Sequence, residues 1–496
     1  MKPNVLFIFA DQMRGDSMGC AGHPLVRTPN LDAIAERGVM FTNAYTPCPI
    51  CVPARATVTT GNYPHKCTGH KSNSGKIKDG EIKIAEHFSR NGYVSYASGK
   101  LHYSPYAKPD EPRLVHGFDH VTFAESGRIL AQFDKKGELR GLEDYHDYLR
   151  EVDWGGYDRA HGIGNNDIHP AASPLPQEHC VDSWVCTQAI GYLEDHKKNH
   201  AEKPFFMFMS FPKPHAPYDP PVPFNTMYDP REVPQPFQQV DDLPRSPGKH
   251  REKVTHGWDL FSPEMHRVAR AHYYGLISFQ DKQIGRMLAY LLNNNLVKDT
   301  IIVYSADHGD MVGDFGFFAK SCFYKGSAQV PLLISYPRKL PARIKFDALV
   351  GLQDILPTLV SLADVPLPPG RTIDGVDLSP IMEGKSSKTR DYYIAYNNDA
   401  PDQSYMIATK HHKYIYSQLN ATEEFYDLRE DPDELDNRIH SPNHGEIISA
   451  LKHQMIQWSQ ANGDGGLVEN GGLKTTMEPV LDGVKFEKNV MGWRWY

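Results

Sequence analysis

Long apolar runs are missing from this 496-residue chain. The longest, such as residues 5–10 and 205–209, fall far short of the roughly 20 residues a membrane-spanning helix needs. A basic excess is missing too. Lys and Arg total 53 against 61 Asp and Glu, a net charge of −8. That argues against a nucleic-acid or anionic-membrane partner, so affinity for an anion must come from a local basic cluster. Paired cysteines are scarce. The seven, at positions 20, 48, 51, 67, 180, 186 and 322, form an odd, scattered set without metal-knuckle spacing, which fits a reduced compartment better than a disulfide framework. Cys48 and Cys51 make one CxxC, but no second pair accompanies it, and Pro49 and Pro53 give it other turn chemistry. No secretory leader is visible, because the apolar run starts at once and leads into a charged segment. A cytoplasmic location is therefore expected, which leaves the Asn420-Ala421-Thr422 sequon uninformative. No internal repeat is present. What remains, 40% hydrophobic and 23% charged, is ordinary globular composition, with length for one large core and a smaller domain.

Four apolar segments read as buried strands, each running into polar residues at its carboxyl end. Residues 4–10 lead to Asp11, 93–98 to Gly99-Lys100-Leu101-His102, 205–211 to Lys213-Pro214-His215, and 300–306 to Asp307-His308-Gly309. Helical patterns over residues 29–38, 83–91, 181–196 and 263–292 lie between them. This alternation predicts an α/β fold with a mostly parallel central sheet covered by helices, whose ligands bind beyond the carboxyl ends of the strands. Residues 104–176 read as an insertion of little periodicity, and 217–253 as proline-rich and irregular. Residues 1–385 are expected to form the catalytic domain. Residues 386–496 are expected to form a small α+β domain, with strands over 392–396, 405–408 and 414–417 and a helix over 446–460. Its Gly-rich tail ends in Gly492-Trp493-Arg494-Trp495-Tyr496. That aromatic end is read as docking on the body, contacting another subunit of a homo-oligomer, or fraying.

Cys51-Val52-Pro53-Ala54-Arg55, followed by Thr60-Gly61, reads as a helix start with proline in the first turn and glycine as the stop. The cysteine would face free backbone N–H groups and the positive end of the helix dipole; packing against the helix start is the bland alternative. Asp11 and Asp307 each end an apolar strand, where an unpaired carboxylate is costly. Brought together they would repel unless a cation lay between them, and Gln12 and His308 could complete its site. Taken alone, Asp11 could equally be a turn or cap residue. Lys100, His102, His215 and Lys320, with Arg55, could neutralise a tetrahedral anion and protonate a leaving group. Singly, each is more simply a solvated or hydrogen-bonded side chain.

Together these blocks resemble the type I sulfatases of the alkaline-phosphatase-like superfamily. Cys51-Val52-Pro53-Ala54-Arg55 with Thr60-Gly61 matches their signature. So do residues 3–12, Gly99-Lys100-Leu101-His102, Lys213-Pro214-His215-Ala216-Pro217 and Asp307-His308-Gly309-Asp310. Phe425-Tyr426-Asp427-Leu428 with Asp431-Pro432-Asp433-Glu434 is similar to the family's C-terminal signature. The resemblance covers nearly the whole chain and implies that a maturation enzyme oxidises Cys51 to formylglycine. One hydroxyl of the aldehyde hydrate would attack sulfur and expel the alcohol, and the second would let the sulfated hemiacetal collapse. By the same resemblance Asp11, Gln12, Cys51, Asp307 and His308 hold one divalent metal ion, with Ca2+ favoured over Mn2+ or Mg2+. Arg55 supports the hydrate, His102 partners it, Lys100 and Lys320 bind sulfate, His215 is the general acid, and Asn73 lies near the transferred group.

Gln12 and His308 depart from the aspartate and asparagine common at these positions. Both resemble choline-sulfatase-like and phosphonate-monoester-hydrolase-like members, which weakens the case for calcium and admits phosphonate monoester or phosphodiester hydrolysis. The substrate expected is a carbohydrate or other small organic sulfate. A non-catalytic anion- or glycan-binding protein with unmodified Cys51 is the alternative of another class. Tyr103, Tyr145, His146, Arg159 and His161, in or beside the insertion, are candidate pocket residues or solvated loop positions.

Overall fold

A computed structural model describes residues 2–103, 113–125, 140–367, 370–387, 389–399 and 403–477. The aromatic end Gly492–Tyr496 and parts of the insertion lie outside these ranges. All four apolar segments become strands of one sheet. Its members are β1 (Asn4–Asp11), β2 (Val39–Tyr45), β3 (Val94–Gly99), β4 (His120–Phe123), β5 (Phe205–Pro214), β6 (Thr300–Ala306), β7 (Leu332–Ser335) and β8 (Ile344–Gly351). They lie in the order β4-β3-β5-β1-β6-β7-β2-β8, parallel except that β7 runs antiparallel to β6 and β2.

β1 is paired on both edges, to β5 and β6, and its residues from Val5 to Ala10 are wholly buried. A strand covered on both faces has no solvent side on which to place a polar residue, so it reads as a continuous apolar run. Phe7 meets Phe208 edge-on, ring centroids 5.2 Å apart; burying each such side chain contributes about 1.5–3 kcal/mol. The helices Pro29–Glu36, Ile84–Arg90, Val181–Asn199 and Pro263–Asn293 pack on the sheet. The last starts as its sequence predicts: Ser262 caps it by accepting from the Met265 N–H, and Pro263 opens the first turn.

The insertion is more regular than its sequence suggested. It contributes β4, which extends the sheet alongside β3, and the helix Asp144–Glu151. The irregular stretch after Pro217 likewise contains the helix Pro247–Thr255. Within the insertion His146 is buried between Glu143, 3.2 Å away, and Asp158, 3.1 Å away. Burial alone would lower its pKa, but the two carboxylates raise it from 6.5 to about 10. Folding therefore favours the charged imidazole, and its stabilisation is complete below pH 6.5 and lost as pH rises through about 10. Urea midpoints of His146→Leu should accordingly lie furthest below wild type at pH 6 and converge on it by pH 10. A gap independent of pH would contradict this.

β9 (Tyr393–Asn397), β10 (Ser404–Ala408), β11 (His412–Ser417) and β12 (Thr422–Asp427) form a second, antiparallel sheet in the order β12-β11-β10-β9. Alternate residues serve its two faces, as the period of a strand requires. Tyr396, Tyr405 and Tyr414 pack against Leu451, Met455 and Trp458 of the helix Gly445–Asn462. Tyr393, Met406 and Ile415 join Tyr45, Phe323 and Tyr324 of the larger unit in another cluster. No helix among the described residues is long and apolar enough to cross a membrane.

Candidate active site

The helix Cys51–Thr60 begins at the cysteine. Ile50 before it is extended, and Gly61 ends it with φ 73°, a left-handed turn that glycine adopts without strain. The orphan N–H of Val52 in the first turn donates to Asn73 Oδ1 at 3.0 Å. Every residue of this helix is buried, so it projects Cys51 into the protein beyond the carboxyl edge of the sheet. Gly99 ends β3 with φ +104°, and a Cβ there would lie 1.9 Å from the Ser210 carbonyl oxygen. Only glycine lets β3 turn away against β5 and present Lys100.

The donor atoms of Asp11, Cys51, Asp307 and His308 all lie within 4.8 Å of one another, and all four residues are buried. Asp307 Oδ1 accepts from the backbone N–H groups of Gln12 and His308, each at 2.9 Å. His308 Nδ1 lies 3.0 Å from the Gly309 carbonyl and so carries the proton, which leaves the Nε2 lone pair facing Cys51 Sγ at 3.3 Å. Asp11 Oδ1 is buried without a hydrogen-bond partner, although its other oxygen takes both Lys100 and Arg55. An orphan carboxylate oxygen beside a second carboxylate and an imidazole lone pair fits a divalent cation. The set favours no single metal, because oxygen donors suit calcium and imidazole suits manganese or zinc.

Arg55 ties the cluster together. Its fully buried guanidinium donates to Asp307 at 2.8 Å, Asp11 at 3.0 Å, the Lys100 carbonyl at 2.9 Å and Ser210 Oγ at 3.1 Å. Burial alone would raise the Asp11 carboxyl, but Lys100, His215, Arg55 and Lys320 hold it well below the usual carboxylate range. Asp307 moves the other way, raised by burial and by the charge of Asp11. Burial and the charge of Asp11 oppose ionisation of the Cys51 thiol, yet the cations, Lys320 first and then Lys100, outweigh them and hold the thiol well below its ordinary value. The field at residue 51 is thus strongly positive, as a site for an anion requires.

Lys320, partly buried, reaches in from the opposite side. Its ammonium lies 2.8 Å from Gln12 Oε1 and 2.8 Å from His215 Nε2, while His215 Nδ1 faces the Ala216 carbonyl at 2.8 Å. His102 is buried at φ +45°; its N–H and that of Leu101 both donate to Glu125 Oε1. Gln12 joins the cluster through its backbone N–H on Asp307, and its side-chain amide bridges Asp310, at 2.6 Å, and Lys320. Among the pocket candidates, Tyr145 and Arg159 line a cavity with Lys213 and Asp219. Tyr103 is instead core, packed on Phe208.

Three polar supports were missed in the sequence. Asp310 accepts from Gln12 and from Tyr218 at 2.6 Å, and its place as the last residue of the Asp-His-Gly-Asp block was the signal available for it. Ser210 and Glu125 carry no local signal, because only the packing of β5 against β3 and the return of the chain after β4 bring them in.

The comparisons with known proteins agree with this geometry. The sulfatase family profile matches residues 3–365, and a profile for the N-sulphoglucosamine sulphohydrolase C-terminal region matches residues 313–461. An arylsulfatase of Clostridium perfringens is 33% identical over 479 residues, spanning 94% of this chain and 96% of that protein. A choline-sulfatase of Rhizobium meliloti is 30% identical, spanning 89% and 83%. The crystal structure of a phosphonate monoester hydrolase of Agrobacterium radiobacter, 24% identical, superposes with a TM-score of 0.76 over 96% of this chain and 100% of that one, which shows the shared fold. The chain, with its cysteine at a helix mouth among two aspartates and a histidine, belongs to the sulfatase family.

Proposed function

We propose that this protein hydrolyses a sulfate monoester of a carbohydrate or another small organic alcohol, using Cys51 converted to formylglycine and one divalent metal ion. The observation that carries the proposal is the buried cluster of Asp11, Cys51, Asp307 and His308 facing Lys100, Arg55, Lys320 and His215. A sulfate ester presents three oxygens sharing negative charge, and these cations surround the place where that charge grows during transfer. The Cys51 thiol marks the position of the aldehyde hydrate. That group supplies two oxygens on one carbon, one to attack and one to eject sulfate. Asp11, Asp307 and His308 would hold the metal, for which calcium, manganese and magnesium are all suited, and it would supply positive charge beside the nucleophile. Gln12 belongs to the same assembly through its N–H on Asp307.

The chain's own residues divide the remaining work. Arg55 fixes both aspartates in one orientation. Asn73 Oδ1 holds the first turn of the helix that carries residue 51. Lys100 and Lys320 draw the sulfate oxygens in, and His102 partners the hydrate. The Lys320 ammonium, 2.8 Å from His215 Nε2, gives a proton to that nitrogen and becomes a neutral amine, and the Nε2–H then passes to the departing alkoxide.

Removal of the metal tests the site. Dialysis against a chelator should lower the rate about a hundredfold or more, the loss of several kcal/mol of charge stabilisation. Activity should return on adding Ca2+, Mn2+ or Mg2+, with their ranking identifying the native ion. Full activity after verified metal removal would contradict the proposal. His308 in the donor set and Gln12 beside it favour a second reading, phosphonate monoester or phosphodiester hydrolysis with the same nucleophile. Assay of an aryl sulfate beside a phenyl phosphonate separates the two: faster phosphonate turnover would replace the sulfate assignment and leave the nucleophile unchanged.

A further inference from the structure

The segment that carries His215 has few backbone donors. Pro214, Pro217, Pro220 and Pro221 lack an N–H, so the segment donates few backbone hydrogen bonds of its own; beyond His215 the Tyr218 and Pro220 carbonyls accept from the Ala171 and Ser173 N–H groups of the insertion, each at 3.1 Å. The carbonyls of His215 and Pro217 turn instead to one partly buried ammonium. Lys213 Nζ donates to the Pro217 carbonyl at 2.7 Å and to the His215 carbonyl at 3.4 Å, and it pairs with Asp219. These contacts use the three donors of a lysine and clasp residues 213–219 into a closed loop around His215. Gln280 fixes the near end by donating to the Lys213 carbonyl at 2.6 Å. At the far end the Asp219 N–H returns to the Pro217 carbonyl at 3.0 Å.

The clasp continues into the insertion. Asp219 Oδ2 lies 3.1 Å from His161 Nε2, and His161 Nδ1 accepts from the Ile163 N–H at 3.0 Å. With Nδ1 an acceptor, the imidazole proton sits on Nε2 and donates to Asp219. The Lys213–Asp219 pair also walls a cavity with Tyr145, Asp158, Arg159 and Cys180, whose lining includes none of Cys51, Lys100, His102 or Lys320. Lys213, Asp219 and His161 therefore bear on the catalytic centre through the backbone around His215.

We propose that Lys213, Asp219 and His161 are positioning residues that set the placement of the His215 imidazole, so that the insertion governs leaving-group protonation. This rests on the reading of His215 as the general acid. A structural prop would change the rate on every substrate alike. A group that positions the acid matters where the leaving alcohol needs a proton and hardly at all where it does not.

The test compares 4-nitrophenyl sulfate, whose leaving group departs unprotonated, with hexyl sulfate, whose alkoxide must be protonated. Lys213→Met combined with Asp219→Asn avoids stranding a buried charge. It should cost about a hundredfold in kcat on hexyl sulfate and less than about threefold on 4-nitrophenyl sulfate. His161→Leu should show the same bias at about tenfold, and His161→Gln, which keeps an N–H donor, should recover most of it. His215→Asn is the reference and should be the most selective. If His215→Asn is selective while the other variants slow both substrates equally or neither, the positioning role is wrong. If His215→Asn itself slows both alike, the general-acid reading falls and this proposal with it. Thermal midpoints of each variant show that the comparison is between folded enzymes.

Discussion

Cys51→Ala is expected to fold like the parent protein and to hydrolyse sulfate esters at least about ten-thousandfold more slowly, the scale on which loss of a nucleophile is felt. Alanine suits the first turn of the helix Cys51–Thr60, and the site loses only one sulfur atom from a buried position. The contact given up is that between Sγ and His308 Nε2 at 3.3 Å. Asp11, Asp307, Arg55 and Lys100 keep all their mutual bonds, so sulfate binding should persist, with Asp11, Asp307 and His308 left to hold the metal. The variant therefore separates binding from chemistry. Isothermal titration with inorganic sulfate should give affinity close to that of the parent, while product formation falls to background. A variant retaining more than a hundredth of the parent rate would show that residue 51 is not the nucleophile.

The largest effect on stability is expected from Arg55→Met. Arg55 holds two carboxylates that are themselves wholly buried, Asp11 and Asp307, with nitrogen–oxygen distances of 3.0 and 2.8 Å. Removing one partner of a buried ionic group strands the other, at a cost of about 3–5 kcal/mol. Methionine fills most of the space of the arginine stem beside Phe9, over whose ring the guanidinium sits at 5.2 Å, so lost packing is a small part of the change. It also leaves the Lys100 carbonyl and Ser210 Oγ without their donor. A divalent cation that binds only the folded state should return part of the loss by mass action. Urea unfolding with and without the cation checks both halves. A destabilisation below about 1 kcal/mol in its absence would mean that Arg55 is not the counter-charge the two aspartates require.

The sequence was most legible where burial leaves a chain few options. β1, β3, β5 and β6 are continuous apolar runs because both faces are covered, and the polar residue ending each is the one that reaches the site. β2, β7 and β8 were not foreseen. β7 spans only Leu332–Ser335, and β8 begins exposed at Ile344 and becomes buried only near its end. The apolar run of β7 is only three residues long, and β8 shows no clean period of two. Arg55, Asp11 and Asp307 could be nominated because charged residues at strand ends and helix mouths are costly without partners. That a single guanidinium would join them is a tertiary fact. Glu125 and the Lys213–Asp219–His161 clasp were illegible for a related reason: their roles arise where the insertion folds back on the sheet. Gln12 was nominated from its place beside Asp11, and what the sequence could not show is that its amide, at a turn of φ 69°, bridges Lys320 and Asp310.

The central claim is that residue 51 works as an aldehyde. The direct measurement is the mass of the proteolytic peptide containing position 51, from protein matured in a host that carries the modifying enzyme, before and after treatment with a hydrazide. The account predicts that the peptide has lost the mass difference between a cysteine thiol and formylglycine, and that it forms the hydrazone in proportion to specific activity. A peptide carrying only unmodified cysteine in fully active enzyme would contradict it.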